Sequence, residues 1–135
     1  MTQLIPAWVG GVLMPAEKMM VHRKGLKHKA ISVFAIDCDG RVLLQRRAVG
    51  KYHTPGLWAN TCCTHPRWGE RAGDCARRRL GEEIGLRGVA LEHRGTVEYR
   101  ADVGGGMIEH EVVEVFVVEA DSGATLDPDP AEVMA

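Results

Sequence analysis

One stretch of this chain breaks the two-residue rhythm around it. Between Glu70 and Ile84, the apolar residues Ala72, Ala76, Leu80 and Ile84 recur every four positions, which lines one face of a helix. Arg78 and Glu82, and Arg79 and Glu83, are i,i+4 pairs on that helix. Gly85 stands where a helix would stop. The surrounding segments follow strand patterns. "AISVFAI", 30–36, is apolar and rich in β-branched residues, and predicts a strand. "DCDG", 37–40, reads as a turn and "RVLLQRR", 41–47, as the strand completing a hairpin. Residues 48–56 read as a loop carrying Pro55 and Gly56, and "LWANTCCT", 57–64, as extended chain. Two more strands are expected at 95–103 and 107–120, joined by a Gly-Gly-Gly, before a tail rich in Pro and Asp. Several strands and one central helix predict an α+β sandwich rather than a doubly wound sheet.

The length of 135 residues suits a single domain over 1–135. A net charge of -1 carries none of the basic excess of a nucleic-acid binder, so no nucleic-acid partner is expected. No apolar run approaches the ~20 residues of a membrane span, so no membrane partner is expected either. The apolar start "MTQLIPAWVGGVLMP" has no basic region before it and no small-residue cleavage site after it, and reads as part of the fold. Cys38, Cys62, Cys63 and Cys75 without a secretion signal predict free thiols in a reducing compartment. No C-x-x-C pair occurs, which argues against a zinc ribbon.

Three groups of residues could carry chemistry. Glu109 and Glu111 lie two apart in a strand, so both point to one face, about 6.6 Å apart along the chain. Val113, Val115 and Val117 continue that face, and carboxylates at the start of a buried face need a partner or a metal; an exposed strand end would equally account for them. His22, His28 and His65 with these carboxylates would make a set of N and O donors for a divalent metal, though spacing alone does not bring them together. His53, His93 and His110 read as structural. Arg46, Arg47 and Lys51 cluster in "QRRAVGK", where guanidinium forks could meet a diphosphate or simply keep a hairpin edge charged.

The helix itself resembles the Nudix box, G-x5-E-x7-R-E-U-x-E-E-x-G-U with U apolar. Glu70, Arg78, Leu80, Glu82, Glu83, Gly85 and Leu86 match it. Thr64 stands in place of the first glycine, and Arg79 in place of the glutamate after Arg78. Exchanging a metal-binding glutamate for a cation points away from hydrolysis. With "LLQRRAVGKYHTPGLWANTCCTHP" and "VEYRADVGGGMIEHEV", nearly the whole chain resembles the type I isopentenyl-diphosphate Δ-isomerases of the Nudix superfamily.

That resemblance implies an α/β/α sandwich with a mixed β-sheet and assigns roles residue by residue. Cys63 is similar to the family's catalytic thiol, whereas Cys62 has no counterpart role. Glu111 resembles the catalytic carboxylate facing the thiol, and Tyr99 the phenol that helps protonation. His22, His28, His65, Glu109 and Glu111 resemble the ligands of one divalent metal such as Mn2+, Mg2+ or Zn2+. Glu83 resembles the ligand of a second ion, Mg2+, bridging to the substrate diphosphate, with Lys18, Arg47, Lys51 and Arg79 as diphosphate contacts. Trp58 could offer a π face to a cation or belong to the core. The resemblance further implies a cytoplasmic enzyme, expected as a monomer, that interconverts isopentenyl and dimethylallyl diphosphate. Family members run on past "EVM", so the family's C-terminal segment is expected to be missing here. The rivals are a Nudix-type diphosphate hydrolase and a truncated metal-binding module without turnover.

Overall fold

The computed structural model describes residues 3–46, 58, 59, 61–119, 126 and 128. Its elements are β1 (Leu4–Val9), β2 (Val12–Glu17), α1 (Lys18–Lys24), β3 (Lys27–Ile36), β4 (Gln45–Arg46), β5 (Trp58–Ala59), β6 (Cys62–Thr64), α2 (Ala72–Ile84), β7 (Leu91–Gly104) and β8 (Met107–Glu119). A mixed sheet runs β2-β1-β3-β8-β7, with β6 also paired to β3. β3 and β8 are parallel, His28 beside Glu111 and Ser32 beside Val115. β6 lies antiparallel to β3, with Cys63 opposite Ser32 and Cys62 opposite Val33. β1 meets β3 at Ala7 and His28, so β1 and β6 both pair with β3.

Alternation along these strands sorts residues onto two faces. Ile31, Val33, Ala35, Cys62, Phe116 and Val118 pack with Cys75, Ala76, Leu80 and Ile84 of α2 into the larger core. The expected helix face is therefore the buried one, with Ala72 packed at its edge. α2 ends at Gly85 in the left-handed conformation, as its sequence predicts. On the other side, Val21 of α1 packs with Ile5, Ala7 and Ala16 of the N-terminal hairpin. One helix on each side of a mixed sheet gives the expected α+β, α/β/α arrangement.

The N-terminal hairpin and α1 were not read from the sequence as elements. Their signal is present: Gly10 and Gly11 form the two-residue turn between Val9 and Val12, both at positive φ. α1 is capped by the Glu17 carboxylate, which accepts from the backbone N–H groups of Met19 and Met20.

Two expectations need correction. The described residues of 41–47, 41–46, do not complete a hairpin ladder with 30–36. After a single bridge between Ile36 and Val42, Gln45–Arg46 pair instead with Trp58–Ala59 in a separate two-stranded sheet. The described residues of 57–64 do form extended chain, as β5 and β6, which belong to different sheets. Finally, the face bearing Glu109 and Glu111 does not continue as a buried stripe. Val113 is buried, but Val115 and Val117 are only partly so, and Phe116 and Val118 are buried on the opposite face because α2 covers that side.

Candidate active site and metal centre

Local structure explains how distant histidines meet. α1 carries His22 and ends at Gly25, whose φ of 66° is left-handed and costs glycine little. A Cβ there would also press to 3.3 Å from the Ile108 side chain. This tight turn feeds β3 within two residues and sets His28 beside His22, ring centroids 4.8 Å apart. His65 follows β6 directly, and its ring lies 5.1 Å from that of His22 and 4.9 Å from that of His28. Glu111 comes from β8, in register with His28.

One ligand atom from each of His22, His28, His65 and Glu111 lies within 4.8 Å of all the others, and all four residues are buried. His28 Nε2 is 3.2 Å and His65 Nε2 3.8 Å from Glu111 Oε2. Each Nδ1 instead donates to a backbone carbonyl: His22 to Lys18 at 2.8 Å, His28 to Leu26 at 2.8 Å and His65 to Lys29 at 3.3 Å. These bonds fix the tautomer that leaves Nε2 as the lone-pair donor, the arrangement typical of metal-bound imidazole. Burial lowers the His22 pKa, and burial together with the neighbouring histidines holds His65 well below its ordinary value. Three imidazoles that keep Nε2 for a ligand, around a buried carboxylate, are a donor set fitted to a divalent ion.

Tyr99 stands across from Glu111 on β7. Its hydroxyl is 2.8 Å from Glu111 Oε1 and 2.8 Å from Glu109 Oε2. A phenol has one proton to donate, so two such contacts with two carboxylates call for a further proton or positive charge between them. Burial, then the charges of Glu111 and Glu109, push the Tyr99 phenol far up, with Cys63 a further contributor. Glu109 lies outside the four-donor group and joins it through Tyr99. Cys63 lies on the face of His28, Ser32 and Glu111, as alternation along β6 requires. Lys18 is near enough to lower the pKa values of His22 and His65.

The Nudix-like helix presents a second group. Arg78 binds Glu70 through two bonds, Nε to Oε2 at 2.8 Å and Nη2 to Oε1 at 2.9 Å. These bonds lead in holding the Glu70 pKa at about 2. Arg79 donates to Glu82 at 2.9 Å and lies 3.5 Å from Glu83 Oε2. Glu83 is buried apart from the histidine group; Gln45 Nε2 is 3.5 Å from its Oε1, and Cys62 donates its S–H to Oε2 at 2.9 Å. Burial, reinforced by Glu83, raises the Cys62 thiol pKa strongly, so it remains a protonated donor. Cys62, which has no counterpart role in the family pattern, thus bonds to Glu83, and Gln45 is a polar partner that sequence reasoning missed. Arg47 and Lys51 lie outside the described residues, as does the side chain of Trp58. Cys38, Cys62, Cys63 and Cys75 are free thiols, as expected. No described helix is long and apolar enough to cross a membrane.

Comparison with known proteins agrees with this geometry. The NUDIX domain family matches residues 26–135. A protein of Rhodobacter capsulatus named isopentenyl-diphosphate Delta-isomerase is 65% identical over 97% of this chain and 74% of its own length. One of the same name from Cereibacter sphaeroides is 63% identical over 98% of this chain and 75% of its own. Among solved structures, DR0079 from Deinococcus radiodurans superposes with a TM-score of 0.65 at 16% identity, over 78% of this chain and 62% of that one. The MutT protein of Methanosarcina mazei Go1 superposes with a TM-score of 0.62 at 16% identity, over 81% of this chain and 73% of that one. At such identities the structural matches establish the fold alone.

Proposed function

The chain belongs to the isopentenyl-diphosphate Delta-isomerases built on the NUDIX domain, and from that premise we propose which of its residues carry the reaction. The activity is the interconversion of isopentenyl and dimethylallyl diphosphate, and the substrate is a small diphosphate ester. We read residues 1–135 as one domain working as a monomer in the cytoplasm.

The substrate alkene is unactivated. A proton adds to its terminal carbon, the tertiary cation forms at the branched carbon, and a proton leaves from the neighbouring carbon on the diphosphate side. Atoms balance with no redox partner, so the protein needs one group to give a proton and another to take one, on opposite faces of a flat five-carbon unit. Cys63 and Glu111 are those groups, and they exchange roles in the reverse direction. Tyr99, in contact with Glu111, holds or returns the proton that Glu111 handles. His22, His28, His65 and Glu111 would hold a divalent ion, with Glu109 joining them through Tyr99. The ion, which we assign as Mn2+, Mg2+ or Zn2+, supplies charge that fixes the Glu111 carboxylate and tunes its acidity.

The diphosphate supplies binding energy remote from the reacting carbons. We assign its recognition to Lys18, Arg47, Lys51 and Arg79. Glu83, a buried carboxylate on the same helix as Arg79, suits a Mg2+ ion that arrives with the diphosphate. Arg79, where the hydrolytic box has glutamate, favours holding a diphosphate over cleaving it.

The single observation that carries this reading is the contact of Tyr99 with Glu111, itself packed against His28 and His65, on the face that also bears Cys63. The test is incubation with isopentenyl diphosphate and Mg2+ in deuterated water. Dimethylallyl diphosphate carrying deuterium should accumulate without phosphate release. Phosphate or pyrophosphate release in its place would identify a hydrolase.

A further inference from the structure

Cys62 is the residue that the reaction leaves without a part. It sits next to the catalytic Cys63 in sequence but faces α2, fully buried. Its neighbour there is a carboxylate, and a buried carboxylate is costly unless several donors meet it. Glu83 has Cys62 Sγ at 2.9 Å and Arg79 Nε at 3.5 Å from Oε2, and Gln45 Nε2 at 3.5 Å from Oε1. Gln45 is itself anchored, donating to the Thr61 carbonyl at 2.7 Å. Arg79 is the shared member, because it also serves Glu82 and is assigned to the diphosphate.

When Arg79 turns to the diphosphate, Glu83 loses its cation at the moment it must meet an incoming Mg2+. Its orientation then depends on the two donors fixed to the sheet side, and Cys62 makes the shorter contact. We propose that Cys62 is a positioning residue, whose S–H bond holds the Glu83 carboxylate in place so that Arg79 can engage the diphosphate without letting Glu83 swing away. This rests on the assignment of Glu83 and Arg79 to the Mg2+-diphosphate. It also links the two adjacent cysteines: β6 places one thiol at the reacting carbons and the other behind the carboxylate assigned to the diphosphate's ion.

The test compares Cys62→Val, which keeps the volume and removes the donor, with Cys62→Ser, which keeps a donor. Cys62→Val should raise both KM for isopentenyl diphosphate and the half-saturating Mg2+ concentration roughly tenfold, the size of one hydrogen bond to a charged group. kcat should stay within about threefold, because the group never touches the reacting carbons. Cys62→Ser should recover most of the loss. A readout independent of turnover is the infrared S–H stretch. The unaltered protein should show a strongly hydrogen-bonded band that is absent in Cys62→Val and moves to higher frequency in Glu83→Gln. Binding of Mg2+ with inorganic pyrophosphate, followed by calorimetry, should weaken in Cys62→Val by the same factor as KM. An unchanged KM and Mg2+ response, a missing band, or serine performing no better than valine would each overturn the proposal. Should the unaltered protein bind Mg2+-pyrophosphate but fail to isomerise, the isomerase reading falls, while the band and the calorimetry still decide the role of Cys62.

Discussion

Cys62 and Cys63 are joined by one peptide bond and live on opposite faces of one sheet. The face of Cys62 is the packed one, where α2 lies over Ile31, Val33, Phe116 and Val118. The face of Cys63 carries His28, Ser32 and Glu111, covered at one end by α1 and its histidine. One face is organised by apolar burial, the other by polar groups that must be matched by bonds or by a metal. The difference teaches that the same side chain is given its chemistry by the face it lands on: the thiol of Cys62 is locked in its protonated form against Glu83, whereas that of Cys63 sits with the phenol and carboxylates of the site.

The largest expected effect separates the two cysteines. Cys63→Ala should cut kcat by about 10²–10⁴-fold, the range for losing a general acid or base, with thermal unfolding little changed. Cys62→Ala should keep kcat within about threefold. Equal losses in kcat from both would break the division between the faces. Next comes removal of the divalent ion. A chelator should abolish isomerisation and lower Tm, since an ion present at a thousand times its dissociation constant stabilises by about 4 kcal/mol. The same treatment of His65→Ala should shift Tm much less, and an equal shift would place the ion elsewhere.

Leu80→Ala tests the packed face. Fully buried in the main core, it should cost roughly 2–5 kcal/mol in denaturant unfolding, while KM of the remaining folded protein stays as before. A large KM change would mean that the core face and the catalytic face are mechanically coupled. The smallest effect concerns the rim of the helix. Glu70 is held at a pKa of about 2 by Arg78, below the ordinary 4.5. As pH falls, the unfolded chain takes up this proton first, so the stabilisation is complete above about pH 4.5 and is lost as pH falls towards 2. Glu70→Gln should cost roughly 1–2 kcal/mol at neutral pH and flatten the stability profile across that acid window. An unchanged profile would show that the pair contributes nothing.

Much of this was readable from the chain because it rests on local periods. The stripe Ala72, Ala76, Leu80 and Ile84 gave α2 its buried face, and Gly85 its end. The two-residue alternation in 107–119 set Glu109 and Glu111 on one side, and that in 62–65 separated Cys62 from the side of Cys63 and His65. What failed was pairing. Nothing in "RVLLQRR" announces that its ladder partner is 58–59 and not 30–36, because pairing depends on which edge the rest of the chain leaves open. The hairpin around Gly10 and Gly11 does carry a local signal, since two glycines between apolar runs favour a tight turn.

The family and its candidate ligands followed from sequence pattern, since spacing and residue type survive without coordinates. That pattern supplied the identity of each donor but no distances. Only the tertiary structure decided that three histidines from α1, β3 and the end of β6 share one buried point with Glu111, because β3 and β8 run parallel and bring His28 and Glu111 into register. It also decided that Glu109 reaches them through Tyr99, and that Cys62 donates to Glu83. These contacts join residues far apart in sequence, so no local period encodes them. They exist because α2 and α1 cover opposite sides of one sheet, and each strand must then give its alternate side chains to different work.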